Sequence, residues 1–473
     1  MSETLFATLQ QLLGAAHVQT SAQAAHYLTD KQGRYTGHVI AAVHPANTDE
    51  VAAVVRACAA LSAPIVVQGG NTGLMAGATP DASGRSVLLL LDRMNRVRNV
   101  DTDNDTLTVE AGCILQNVQD VARDADRLFP LSLGAEGSCT LGGNLGTNAG
   151  GTGVLRYGNT RELTLGLEVV TAEGEIWHGL RGLRKDNTGY DLRDLYIGSE
   201  GTLGIITAAT LKLFPLPKAQ ATALLAFDEL AQAVAFLSHA RAGFGASLTA
   251  FELLSADCLA LLRDQFPQGP QPFKTANQPW FALIELSDNH GENHAREAFE
   301  HVLGEAFEQQ LLSDALIAES LAQSDALWLL RENMSEAQKR AGQNMKHDIS
   351  VPISQVVAFV AHTDALLQQH FPGVRHFTFG HLGDGNLHYN VAHPLDSTVQ
   401  AHMAHYAQLS ALVHDSAHAH GGSISAEHGI GQRKVGLLGR YKSAVELDLM
   451  RRIKQALDPN NLLNPGKVLE VQP

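Results

Sequence analysis

The chain is poor in the features that mark several large protein classes. Its 473 residues hold four cysteines (Cys58, Cys113, Cys139, Cys258), with no C-x-x-C pair and no zinc-finger spacing. That scarcity excludes a disulfide scaffold and points to reduced thiols in a cytosol-like compartment. No apolar run nears the ~18 residues that span a bilayer; the longest, Val87-Leu-Leu-Leu-Leu91, is strand length. The first residues, Met1-Ser-Glu-Thr-Leu-Phe6, carry no basic stretch. They read as the start of an amphipathic helix with Ser2 as cap and Leu5, Leu9, Leu12 and Leu13 facing inward, and a cytoplasmic location is expected. Positive charge is also short, with 34 Lys+Arg against 49 Asp+Glu and a net charge of −15. A nucleic-acid binder would need the opposite balance, although a small anion can still be met by one local basic pocket. The chain also lacks G-x-G-x-x-G, the P-loop signature, G-x-S-x-G and H-E-x-x-H, which argues against the nucleotide-binding, hydrolase and metalloprotease sites those motifs build.

What the chain does have is unevenly placed. Of 43 glycines, 17 fall between Leu133 and Gly204, and of 22 histidines, 13 follow Ala341. The length suits two or three domains. Helical spacing marks 50–62, 115–126, 228–242, most of 292–345, 397–420 and 444–457. Strand-like runs lie at 64–68, 87–91, 106–109, 165–171, 204–213, 281–286 and 375–391. Pro215-Leu-Pro217 reads as a linker. The expected organisation is a helical segment 1–37, a first α+β domain 38–217, a second 218–425 with an antiparallel sheet, and a C-terminal helical segment 426–473.

Three lean stretches stand out: Gln68-Gly-Gly-Asn-Thr-Gly-Leu-Met-Ala-Gly77, Leu133–Gly153, and Tyr196-Ile-Gly-Ser-Glu-Gly-Thr-Leu-Gly-Ile-Ile206. Closely spaced glycines let backbone N–H groups approach an anion such as a pyrophosphate. A plain tight turn accounts for the first loop as well, but a core has no need of three such stretches. They resemble the FAD-binding (PCMH-type) domain of vanillyl-alcohol-oxidase-type flavoproteins, in the branch of FAD-linked 2-hydroxy-acid dehydrogenases, from about His38 to Pro217. The resemblance implies that FAD is held by Gly69, Gly70, Asn71, Thr72, Gly73, Leu74 and Gly77, by Gly137, Ser138, Thr140, Gly142, Gly143, Asn144 and Gly151, and by Glu200, Gly204 and Ile206. Some relatives attach FAD through a histidine in the first loop; Asn71 stands there, so the implied flavin is non-covalent.

In Phe377-Thr-Phe-Gly-His-Leu-Gly-Asp-Gly-Asn-Leu-His-Tyr-Asn-Val391, Asp384-Gly385 is a preferred two-residue hairpin centre. Folding there sets His381 opposite His388, close enough to share a metal, with Asn390 on the face of His388. Ser423-Ile-Ser-Ala-Glu-His-Gly-Ile-Gly431 offers a carboxylate, Glu427, to complete a His₂-carboxylate set. Surface histidines and a solvated Glu-His pair remain the plain alternatives. These strings resemble the C-terminal domain of the same branch, most closely D-2-hydroxyglutarate dehydrogenases. By position the resemblance implies divalent-metal ligands His381, His388 and Glu427 (zinc or a similar ion), Asn390 at the substrate, His428 as base, and Asn464 returning to the flavin. It also implies that Arg331, Ser335 and Lys346, in Trp328–Ser335 and Met345–Pro352, hold a distal carboxylate; Ser335 replaces a threonine.

The implied reaction is metal-assisted oxidation of a D-2-hydroxy acid, with D-2-hydroxyglutarate favoured and D-lactate or D-malate the alternative, by hydride transfer to flavin N5. His428 takes the hydroxyl proton, so activity should rise with pH through its titration. An electron-transfer flavoprotein or a quinone is the expected acceptor, and a homodimer is the expected assembly. The histidines left over, including His402, His405, His414, His418 and His420, are expected on solvated helix faces.

Overall fold

The computed structural model describes residues 2–273 and 277–470 and divides into two compact units. The first comprises Met1–Gly150, Gly158–Leu216 and Glu427–Pro473, and the second Gly151–Tyr157 and Pro217–Ala426.

The first unit holds two larger sheets and one short two-stranded pair. One has strands β1 (Val18–Gln19), β2 (Val39–Val43), β3 (Ile65–Gln68) and β4 (Ser86–Leu90) in the order β1-β2-β4-β3, parallel apart from β1. Parallel strands are buried on both faces and so read as continuous apolar runs; all five residues of β4 are buried. Helix Thr48–Ala60 makes the crossover between β2 and β3, capped by Asn47, whose side chain accepts from the Glu50 amide at 2.9 Å. Helix Ser2–Leu13 buries Leu5, Leu9 and Leu13, but Leu12, expected inside, is 42% exposed. The second sheet is antiparallel: β5 (Val97–Asp101), β6 (Thr106–Glu110), β8 (Thr164–Val170), β9 (Ile176–Gly179) and β10 (Ile205–Lys212), in the order β5-β6-β10-β8-β9. Short β7 (Arg127–Leu128) and β11 (Phe214–Pro215) pair beside it.

The second unit is built on one seven-stranded antiparallel sheet: β12 (Ala219–Phe227), β13 (Leu248–Ser255), β14 (Trp280–Asp288), β15 (Asp314–Ile317), β16 (Asp348–Ser350), β17 (Arg375–His381) and β18 (Asn386–Ala392). Their order is β15-β12-β14-β13-β17-β18-β16. Side chains alternate between its faces. Phe251 and Leu253 join the core under helices Leu230–Phe244, Glu292–Glu308 and Val356–His370, while Leu254 faces the core under helices Ala256–Gln265 and Leu321–Glu332.

Several sequence expectations are corrected here. β12 and β13 are alanine- and leucine-rich, without strand-like composition, and sheet pairing overrides that preference. The helical reading of 292–345 is broken by β15. Histidines expected in solvent include two that are buried, His402 at 5% and His414 at 6% exposure. His402 Nε2 lies 3.3 Å from the Val391 carbonyl, and His414 packs edge-on against His347. The four cysteines are buried and unpaired; burial pushes the Cys58 and Cys258 thiols up to about 12, so both behave as inert core groups.

Candidate active site

In the first unit the glycine stretches converge on a cavity of about 360 Å³. Its lining includes Gly69, Gly70, Asn71, Thr72, Gly73, Leu74 and Gly77 from the loop after β3, then Thr140, Gly142, Gly143 and Asn144, then Glu200, Gly204 and Ile206, and finally Glu427 and His428. The loops meet backbone to backbone. A Cβ on Gly70 would stand 2.0 Å from the Ser138 carbonyl oxygen, and one on Gly431 2.0 Å from that of Met75, at φ +51°. Glycine at these two positions is therefore a packing requirement, not a matter of flexibility.

The segment after Glu427 is stitched onto the same loops. Glu200 accepts the amides of Ile430 at 2.7 Å and Gly431 at 2.8 Å, while burial pushes its carboxyl up against the pull of those donors. Gln432 donates to the carbonyls of Ala76 and Thr79, and Asn464 to those of Gly77 and Glu200. His428 stands with its Nε2 3.4 Å from Glu427, each about one-fifth to one-quarter exposed.

Four residues expected at the flavin do not line this cavity. Gly137 and Ser138 lie in the turn behind it, where Ser138 supplies the carbonyl that abuts Gly70. Asn464 backs Gly77 and Glu200 from outside, and Gly151 belongs to the second unit. The cavity nonetheless suits a long flat cofactor such as FAD: glycines make up much of its lining, and the buried Thr140 hydroxyl has no partner among the described residues.

In the second unit the hairpin register differs from the two-residue turn. Phe379, not His381, faces His388, because Leu382–Gly385 forms a four-residue loop with Gly385 at φ +82°. His381 is then the diagonal neighbour of His388 on the same face, with ring centres 5.7 Å apart. On the other side Asp348 is the ladder partner of His388, and its carboxylate accepts from Asn386 at 2.9 Å and the Ala426 amide at 3.2 Å.

His381 and Arg331 share a partner that the sequence reading missed. Fully buried Glu252 accepts from His381 Nδ1 and from Arg331 Nε, each at 2.5 Å. Burial alone would raise that carboxyl, but the interactions with His381 and Arg331 hold it down at about 2. Arg331 also lies 5.1 Å over the Phe379 ring. Asn390 is buried and engaged, accepting from the His347 amide and donating to Gln338. Ser335 and Lys346 are exposed. The missed Glu252 did have one signal, a lone charge inside the apolar run Leu248–Ser255; Asp348 had none beyond its place in the Met345–Pro352 string.

Residues 39–179 match the FAD binding domain family and residues 216–468 the FAD linked oxidases, C-terminal domain family. The chain is 41% identical to a D-2-hydroxyglutarate dehydrogenase of Xanthomonas citri pv. viticola over 99% of this chain and 98% of that one. It is 38% identical to the mitochondrial D-2-hydroxyglutarate dehydrogenase of Bos taurus over 90% of this chain and 76% of that one. Among solved structures, p-cresol methylhydroxylase has the same fold, with a TM-score of 0.78 at 18% identity over 98% of this chain and 96% of that one. No helix among the described residues is long and apolar enough to cross a membrane. The chain belongs to the FAD-linked oxidases, on the branch of the D-2-hydroxyglutarate dehydrogenases, and is an FAD-linked oxidoreductase.

Proposed function

We propose that this enzyme oxidises D-2-hydroxyglutarate to the 2-oxo acid with metal assistance and passes the electrons to a separate acceptor, an electron-transfer flavoprotein or a quinone. The observation that carries the substrate class is Arg331 set beside the His381–His388 pair on one face of the second unit's sheet. Near-full-length identity to dehydrogenases of that name supports it. Bound FAD would supply a two-electron acceptor for the C2 hydride, and a bound divalent cation, zinc by the nature of its donors, a Lewis acid for the hydroxyl.

The chain's own residues do the rest. Arg331, with Ser335 and Lys346, holds the distal carboxylate, the guanidinium offering a planar fork. Asn390 orients the substrate, and His428 takes the C2 hydroxyl proton at an imidazole nitrogen. His381, His388 and Glu427 are the proposed metal ligands; two imidazoles and a carboxylate suit zinc and leave coordination positions open. The four buried free thiols suit a reducing, cytosol-like compartment.

The test is anaerobic addition of D-2-hydroxyglutarate, its L-enantiomer, D-malate and D-lactate to the purified flavoprotein. Rapid bleaching by D-2-hydroxyglutarate, with the L-enantiomer inert and D-lactate slow, is expected. Preferential bleaching by D-lactate or D-malate would replace the substrate, and no bleaching by any of the four would overturn the reaction.

A further inference from the structure

Glu252 is the single charged residue of β13 and is 1% exposed. A carboxylate taken wholly out of water is costly unless every oxygen is partnered. Here each oxygen has its own cation or donor: Oε1 meets His381, its ladder partner on β17, and Oε2 meets Arg331, from the helix packed over that face. Since a carboxylate accepts, His381 presents its Nδ1–H to Glu252 and turns Nε2 away from it. A carboxylate behind a histidine in this way fixes the ring and strengthens it as a ligand. On the other side, Glu252 holds Arg331 through Nε, which fixes the plane of the guanidinium and turns its terminal nitrogens away from the carboxylate. Arg331 Nη2 lies 3.5 Å from His381 Nε2, so the two functional ends sit side by side.

We propose that Glu252 is a positioning residue that anchors the substrate-binding Arg331 and the metal-binding His381 through one buried carboxylate. The assignment rests on the proposed function. It makes two apparently separate tasks, metal binding and distal-carboxylate recognition, depend on one side chain that touches neither ligand.

The experiment uses the FAD-loaded Glu252→Gln enzyme, with wild type alongside. Zn²⁺ affinity is read by chelator competition on metal-depleted protein, and KM is measured for D-2-hydroxyglutarate and for D-lactate, which lacks the distal carboxylate. Zn²⁺ affinity should fall by about 10–100-fold. KM for D-2-hydroxyglutarate should rise by a similar factor while that for D-lactate moves much less, with flavin content unchanged. Glu252→Asp, which keeps the charge one methylene short, should recover part of both losses, and it replaces the glutamine variant should that protein fail to fold. Unchanged Zn²⁺ affinity together with an unchanged KM ratio in a folded variant would overturn the proposal. A loss confined to one readout would overturn the shared anchor. Wild type that neither binds Zn²⁺ nor turns over D-2-hydroxyglutarate would instead refute the functional reading itself.

Discussion

The two units present opposite surfaces to the guests proposed for them. The first lines its cavity with glycine-rich loops, Gly70 and Gly431 standing where a Cβ would strike a carbonyl, and the charged groups along it are Glu200 and Glu427, with His428 beside them. The second gathers charged and ionisable side chains, Arg331, Glu252, His381, His388 and Asp348, onto strands and a helix. A large cofactor that stays bound is gripped by shape and amide donors. A small dianion that must come and go calls for a few strong charges held in place. The two units should therefore break differently.

The largest effect is expected at the proposed base. His428→Ala should lower kcat by about 10²–10⁴-fold, the usual worth of a positioned base, while flavin content stays at wild-type level. A chelator should likewise abolish turnover and leave the yellow flavin in place; full turnover in chelator would refute a catalytic metal.

Next comes the backbone cradle. Gly70→Ala forces a Cβ onto the Ser138 carbonyl. Overpacking of this kind costs about 1–3 kcal/mol, so FAD affinity should fall by about 10–100-fold, measured by flavin retained on desalting. An alanine variant that keeps its full flavin complement would show that the loops need not approach so closely.

The smallest effect concerns stability alone. In the second unit, burial raises the Glu285 carboxyl to about 7, against the lowering bonds from Trp328 and Thr222. The folded chain thus holds a proton that the unfolded chain has released by about pH 5. Stability should fall as pH rises from about 4.5 to 7 and stay lower above that. Glu285→Gln should remove this slope and melt a few degrees above wild type at pH 8, with no advantage at pH 4, by thermal denaturation.

The contrast between the units also explains what the sequence discloses. Gly69, Gly70 and Gly77 are legible because a backbone requirement is written directly as glycine. The histidine hairpin was legible as a hairpin, but its register depended on a four-residue loop that the Asp384-Gly385 pair does not announce. Glu252 was hidden for another reason: its partners lie 79 and 129 residues away, and only the sheet and the overlying helix bring them together. Buried His402 and His414 were misread because a histidine that meets a carbonyl or another ring looks, in sequence, like one that meets water. Strands β12 and β13 escaped notice because their alanines and leucines take their conformation from neighbouring strands.

The division of labour is tested most directly by Arg331→Lys, which keeps a charge for Glu252 but loses the planar fork. The measurement is the anaerobic rate of flavin bleaching in single turnover, with D-2-hydroxyglutarate and D-lactate compared on wild type and variant. The account predicts full flavin content, a rate with D-2-hydroxyglutarate at subsaturating substrate lowered by about tenfold or more, and a rate with D-lactate within about twofold of wild type, since a charge-assisted bond is worth about 1.5–3 kcal/mol. Equal losses with both substrates, or loss of the flavin itself, would contradict it.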